Sequence, residues 1–345
     1  MKAALSLSTI LLAGFIAYAD PFYREELIFP LQPKHVHSSS VVECPNGDLI
    51  ACWFHGSGER RSSDVLVQGS RLKKDAESWS DVFLMADTPN LPDCNPVLFL
   101  DANRELWLFW IAVPAERWED SLLRYRKSAD FEGDGAPKWY WQDVIILKPG
   151  EAFAGDVTRG LEAVLPSLPG VDDPRGMEFR AMTHRICADA LDLGKQQRGW
   201  MTRAQVLILP TGRILVPLYS DGYLLGMMAI SDDEGQTWRA SSPIVGAGLN
   251  QPSIARKKDG TLVAYMREEE EIKRRVLKSA STDDGETWSV AEWTDIPNPN
   301  SSLAALTLQD GRWILVYNDS ELERDTLVVA LSDDEGTSWK WKRHL

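Results

Sequence analysis

Three octets constrain this chain more than any other feature: SDDEGQTW at Ser231–Trp238, STDDGETW at Ser281–Trp288 and SDDEGTSW at Ser332–Trp339. Their starts lie 50 and 51 residues apart. Each position of the shared Ser-x-Asp-x-Gly-x-x-Trp pattern has a physical task in a hairpin turn. The Asp side chain accepts backbone N–H groups of its own turn, Gly supplies a positive φ, and Trp plugs the turn against the neighbouring sheet. One such octet is weak evidence. Three in register at a constant period indicate one β-unit repeated along the chain.

A second signature precedes the octets. Five segments combine a Gly or Asn turn with a mostly apolar run: PNGDLIACWF from Pro45, DANRELWLFW from Asp101, PTGRILVPLY from Pro210, KDGTLVAYMR from Lys258 and QDGRWILVYN from Gln309. Each reads as a turn followed by a strand buried on both faces, and each such strand is taken as the inner strand of its unit. The turn positions Gly47, Asn103, Gly212, Gly260 and Gly311 are separated by 56, 109, 48 and 51 residues. The doubled interval either hides a sixth unit or carries an insertion over Glu151–Trp200, leaving five units plus whatever follows Leu345. Degenerate octets are expected at Ser70–Trp79 and Ser128–Trp139. No apolar stripe of period 3.6 persists for a dozen residues, so long helices are not expected. Four-stranded units of this length close into a ring that removes exposed sheet edges, predicting an all-β, six-bladed β-propeller.

The formal charge of −14 argues against a nucleic-acid partner, because tracking phosphates requires clustered positive charge. Residues 1–19 have the layout of a secretory signal peptide: Lys2, an apolar run to Ala17, and the small-x-small triplet Ala17-Tyr18-Ala19. A secreted or periplasmic protein follows, with a single propeller domain over 20–345. No later stretch is long and apolar enough for a membrane span. Cys44, Cys52, Cys94 and Cys187 read as free thiols in preference to staples, with a Cys44–Cys52 pair across a hairpin as the alternative. No spacing suits a metal, no Gly-rich phosphate loop stands out, and no cofactor is expected.

In a ring of sheets, residues far apart in sequence converge at one mouth. Just before the five apolar strands stand His37, Asn95, Arg203 with Gln205, Gln251, and Asn298 with Asn300. At strand ends stand Tyr219, Arg267 and Glu268, and the loop after Phe54 carries Glu59, Arg60, Arg61 and Asp64. Amides and arginines around one axis suit a ligand rich in hydroxyl and carboxylate groups, which an arginine fork grips with two charge-assisted bonds. Asn95, Tyr219, Gln251 and Asn298 are expected to contact substrate, and Arg60, Arg61, Arg203 and Arg267 to hold its carboxylate. Asp64 is the candidate acid, Glu268 the candidate base or orienter, and His37 a candidate for either role. The acidic run from Glu269 onward reads as a solvated hairpin tip.

On these octets and turn–strand units the chain, from Pro33 to Leu345, resembles the sialidase (neuraminidase) superfamily, in its BNR/Asp-box branch. The resemblance implies a sialidase-type six-bladed propeller that hydrolyses terminal acidic sugars of glycans. Three arginines grip the substrate carboxylate, an aspartic acid serves as acid/base, and a tyrosine paired with glutamate is the nucleophile. Arg267 and Arg203 match two of those arginines, and the loop Glu59–Asp64 matches the acid-bearing loop. LQPKHVHSSS, where the first arginine belongs, contains none. The tyrosine is expected in a strand beyond the last octet, and only six residues follow Trp339; part of a last blade is therefore expected past Leu345. A uronic-acid lyase with His37 as base, or a non-catalytic glycan-binding propeller, fits the same features.

Overall fold

The computed structural model describes residues 25–170 and 173–345. The proposed signal peptide lies outside the described residues. Five antiparallel sheets follow one another along the chain. Sheet one is β1 (His35–Glu43), β2 (Leu49–Gly56), β3 (Leu66–Leu72) and β4 (Phe83–Ala86). Sheet two is β5 (Asp93–Leu100), β6 (Leu106–Ala112), β7 (Leu122–Ser128) and β8 (Trp141–Ile145). Sheet three, the only one with its first strand split, is β9 (Met201–Thr202), β10 (Leu207–Ile208), β11 (Ile214–Ser220), β12 (Leu225–Ser231) and β13 (Arg239–Ala240). Sheet four is β14 (Leu249–Arg256), β15 (Leu262–Glu268), β16 (Arg275–Ser281) and β17 (Glu292–Pro297). Sheet five is β18 (Ala304–Thr307), β19 (Trp313–Asn318), β20 (Leu327–Ser332) and β21 (Trp341–His344).

First strands touch across sheets, β1 against β5, β5 against β9 and β14 against β18, so they line the axis of a propeller. The turn–strand segments read as inner strands are therefore the second strands, and the polar stretches before them are themselves the innermost strands. Second strands are buried on both faces because they are flanked within their own sheet and covered by the sheets on either side. All seven residues of β6 and of β11 are buried. Between sheets five and one lies a cavity of about 570 Å3, bordered by Val41 and Trp79 on one wall and Leu303 and Leu327 on the other.

Each octet closes the turn after a third strand. Asp233 accepts from the Ser231 hydroxyl at 2.8 Å, the Thr237 N–H at 2.9 Å and the Thr237 hydroxyl at 2.5 Å. Asp283 and Asp334 repeat the pattern. Gly235 has φ +80°, and a Cβ there would sit 2.2 Å from Cη2 of Trp107 in the preceding sheet. Register identifies the degenerate octets: Ser128 faces Leu106 as Ser231 faces Ile214, but in sheet one Leu72 occupies that position. Ser70 is two residues early, and its hydroxyl bonds the Ser80 carbonyl as Ser279 bonds that of Ser289.

The doubled interval is an insertion, and it is helical: α1 (Phe153–Val164), α2 (Pro174–Asp189) and α3 (Leu193–Gln196). The expectation of no long helix fails here. In α1 the buried side is Phe153, Val157, Gly160, Leu161 and Val164, a helical stripe that the surrounding Gly, Asp and Pro obscure. α2 buries only Gly176, Phe179, Thr183 and Ile186, and begins with an Asp173 cap followed by Pro174. All four cysteines are free thiols. Among the described residues no helix is long and apolar enough to cross a membrane.

Candidate active site at the propeller mouth

The first strands do not enter the ring straight. Register slips between His37 and Ser40 in β1, between Cys94 and Val97 in β5, and between Asn250 and Ser253 in β14. At each slip one non-glycine residue adopts the left-handed region: Ser38 at φ 60°, Asn95 at 51° and Gln251 at 57°. Such bulges re-aim side chains. Asn95 and Gln251 directly precede prolines, which disfavour helical-type conformations in the residue before them, so these two positions hold strain that the surrounding packing sustains.

The re-aimed amides meet at one phenol. Asn95 Nδ2 donates to Tyr219 Oη at 3.0 Å and Gln251 Nε2 donates to the same oxygen at 3.3 Å, joining sheets two, three and four. Burial pushes the Tyr219 hydroxyl well above its usual range, and the Asp221 charge pushes the same way. Two amide donors and no hydrogen-bonded carboxylate leave this phenol without a base to activate it.

Tyr219 and Arg267 occupy equivalent positions of β11 and β15, each five residues past the residue facing the octet serine. Arg267 pairs with Glu269, whose Oε2 also accepts from Asn250 Nδ2 at 3.3 Å. The same Nδ2 lies 3.0 Å from Asp221 Oδ1. Burial, reinforced by the Glu269 charge, pushes Asp221 up to about 6. Arg203 makes one side-chain contact, Nε to Ser302 Oγ at 3.4 Å, and no ion pair among the described residues. Its charge reaches His37, which burial first and Arg203 second bring down to about 4; Glu59 opposes, and His35 and Arg324 add to the lowering. His37 is thus a neutral imidazole at neutral pH. His35 lies 3.3 Å from Glu59, and Arg324 donates to the Pro299 and Asn300 carbonyls.

Four buried amide oxygens lack a donor among the described residues: Asn250 Oδ1, Gln251 Oε1, Asn300 Oδ1 and Asn318 Oδ1. All four belong to this mouth, and Arg267 Nε nearby is an unpartnered donor. Unmet hydrogen-bonding capacity on this scale is expected where a ligand supplies the partners.

His37, Asn95, Arg203, Tyr219, Gln251 and Arg267 thus converge as expected of a shared cleft. Others stand elsewhere. Asp64 accepts from Lys34 Nζ at 2.7 Å, from the Ser57 N–H and hydroxyl, and from the Ser62 hydroxyl, which hold it far below the usual carboxylate range. It clamps its own loop and has no proton to give. Glu268 is wholly buried and accepts from the Lys273 and Arg275 N–H groups and Trp293 Nε1. Strand alternation turns it away from Arg267, so it is a strut of the hairpin. Asn298 is spent on its turn, donating to the Ser301 carbonyl and accepting its N–H. Arg60 stacks 5.2 Å over Trp118, and Arg61 is exposed. Sequence reasoning missed Asp221 and Arg324 and assigned Glu269 to a solvated tip. Equivalence with Arg267 was the available signal, since Asp221 and Glu269 both lie two residues past that position.

The profile of the BNR repeat-like domain matches residues 47–155 and 176–345, more than half of the chain. The chain belongs to that family. The break between the two matched stretches, residues 156–175, falls within the helical insertion and takes in most of α1. Among solved structures, a protein of unknown function from Dyadobacter fermentans matches at TM-score 0.63 and 16% identity, over 90% of this chain and 82% of its own. The NanB sialidase of Streptococcus pneumoniae matches at TM-score 0.66 and 13% identity, over 92% of this chain and 63% of that one. The intramolecular trans-sialidase of Ruminococcus gnavus matches at TM-score 0.63 and 13% identity, over 90% and 85%. At these identities the likeness is one of fold: a sialidase-type propeller of the BNR superfamily. No protein of curated function matches the sequence.

Proposed function

We propose that this BNR-family propeller is a sialidase-like exo-glycoside hydrolase that acts on terminal acidic sugars of glycans. The observation that carries the reading is one mouth holding both an unpaired arginine, Arg203, and four orphaned amide oxygens. A carboxylate satisfies the first and ring hydroxyls the second. Arg324 adds positive charge beside them, and Arg267, although paired with Glu269, keeps an unpartnered Nε there. The signal-like N-terminus supports a secreted or periplasmic site of action, where such glycans are met. The test is a panel of acidic exo-glycosidase substrates, each paired with its neutral analogue. Release of the acidic sugar alone supports the reading; turnover and binding of none of them overturns it.

A second reading rests on His37. A neutral imidazole beside Arg203 suits proton abstraction next to a carboxylate, the first step of uronate elimination. Unsaturated uronate products, detected by their ultraviolet absorbance, would favour it.

A further inference from the structure

We propose that Asp221 and Glu269 are a carboxyl pair holding a single proton on Asp221, and that Asp221 delivers this proton to the glycosidic oxygen as the general acid of the cleft. This rests on the hydrolase reading above and adds to it a proton donor that the sequence did not suggest.

Geometry supplies the pair. One nitrogen, Asn250 Nδ2, is hydrogen-bonded to Asp221 Oδ1 at 3.0 Å and to Glu269 Oε2 at 3.3 Å, so the two carboxylate oxygens lie within about 6 Å of each other. Two carboxyl groups this close in a partly desolvated site resist being ionised together. Their surroundings separate them. Glu269 has a cation, Arg267, on the same Oε2 that Asn250 reaches, which fixes it as the anion. Asp221 has no ion pair among the described residues, and it accepts from the neutral amide of Asn250.

The groups facing Asp221 come from four elements: Tyr219 on β11, Asn250 on β14, Arg267 and Glu269 at the end of β15, and Glu119 in the loop after β6. Of these Arg267 alone favours its ionised form by charge, and burial, Glu269 and Glu119 oppose it, bringing Asp221 to about 6. Raising one carboxyl by burial while its neighbour is held in an ion pair is how a site sets one group as acid beside an anion.

The pair also sits where a ligand is wanted. Asn250 is wholly buried, yet its Oδ1 has no donor, and adjacent Gln251, 7% exposed, has an orphaned Oε1. Hydrolysis then balances as follows. The bond from the anomeric carbon to the glycosidic oxygen breaks as Asp221 protonates that oxygen. A water molecule bonds to the anomeric carbon, and the proton it sheds restores Asp221. One water is consumed, and the pair ends as it began.

Carboxyl 13C titration of the labelled protein tests the proton-holding step without any substrate. Two carboxyls with midpoints about 6 are expected, buried Asp93 and Asp221. The Asp221 resonance is the one absent in Asp221→Asn and moved toward the ordinary carboxylate range in Glu269→Gln, and the Asp93 resonance stays in both. Persistence of both titrations in Asp221→Asn, or the lack of a second one beside Asp93 in the unaltered protein, overturns the proposal. The delivery step is read on a sugar that the panel identifies, carried once on an alkyl and once on an activated aryl leaving group. Asp221→Asn should lower kcat on the alkyl glycoside by about 100-fold or more, with KM little changed, and largely spare the aryl glycoside. Equal losses on both overturn the acid role while leaving the hydrolase reading intact. Should no sugar be turned over, the hydrolase reading falls, the delivery step falls with it, and the titration still decides whether the pair holds its proton.

Discussion

The two ends of the same strands follow opposite rules. At the octet end, Asp233, Asp283 and Asp334 each accept three hydrogen bonds from a serine and a Thr or Ser two and four residues away, at distances that agree within about 0.2 Å. At the mouth, equivalent positions carry Phe54, Ile111, Tyr219, Arg267 and Asn318, no two alike, and the unmet amide oxygens gather there. Repeated hydrogen bonds on one aspartate fix each octet turn. Unsaturated and irregular polar groups keep capacity for something that binds.

The largest effect that would test this contrast is at the octet end. Gly235→Ala forces a Cβ against the buried Trp107 from a positive-φ backbone and should cost about 2–4 kcal/mol, read by denaturant unfolding. A change within about 0.5 kcal/mol would show that the octets are not the structural end. Next, Arg203→Ala should weaken an acidic saccharide about 10–100-fold by calorimetry, leave its neutral analogue unchanged, and barely alter unfolding. Equal weakening of both ligands would break the mouth half of the comparison.

Asp233→Asn comes third, with a loss of about 1 kcal/mol at neutral pH, modest because the turn is partly exposed. Its sign with pH sharpens the contrast. Bonds from Thr237 hold the Asp233 carboxyl below its unfolded value, so the stabilisation is present above the ordinary carboxylate range and disappears as pH falls below it. Asp221 is shifted the other way. Its folded value of about 6 lies above the unfolded 3.8, so the stability it withholds at neutral pH returns as pH falls through that interval. Unfolding curves at several pH values, compared for Asp233→Asn and Asp221→Asn, should therefore diverge in opposite directions.

The smallest effect is His37. Its folded value of about 4 lies below the ordinary 6.5, so its contribution is complete above that ordinary value and is lost as pH falls toward 4. Imidazole NMR should show a midpoint about 4, and Arg203→Ala should raise it. No rise would mean that Arg203 and His37 do not share the cleft.

Much of the mouth was legible from position along the repeat. Asn95 in the second unit and Gln251 in the fourth stood out as polar residues just before apolar strands, and register with Arg267 marked Tyr219; the bulges that re-aim the two amides appear only in the structure. Asp64 and Glu268 have the right chemistry for catalysis, but local hydrogen bonds consume their acceptor capacity. Asp221 carries no signal beyond its repeat equivalence with Glu269, because its character comes from Asn250, Arg267 and Glu269, at least 29 residues along the chain. The helical insertion was hidden for a related reason: α2 buries only Gly176, Phe179, Thr183 and Ile186, and an ion pair with a distant loop, Arg175 with Glu271, adds to its support.

Sequence alone determined the repeating sheet, its period and the octet turns, since those depend on residues within a few positions of one another and on φ angles that glycine supplies. Tertiary structure decided which polar residues meet and which carboxylates are consumed by local hydrogen bonds. Those properties depend on distances and burial set by packing successive sheets around one axis, and no local spacing encodes them.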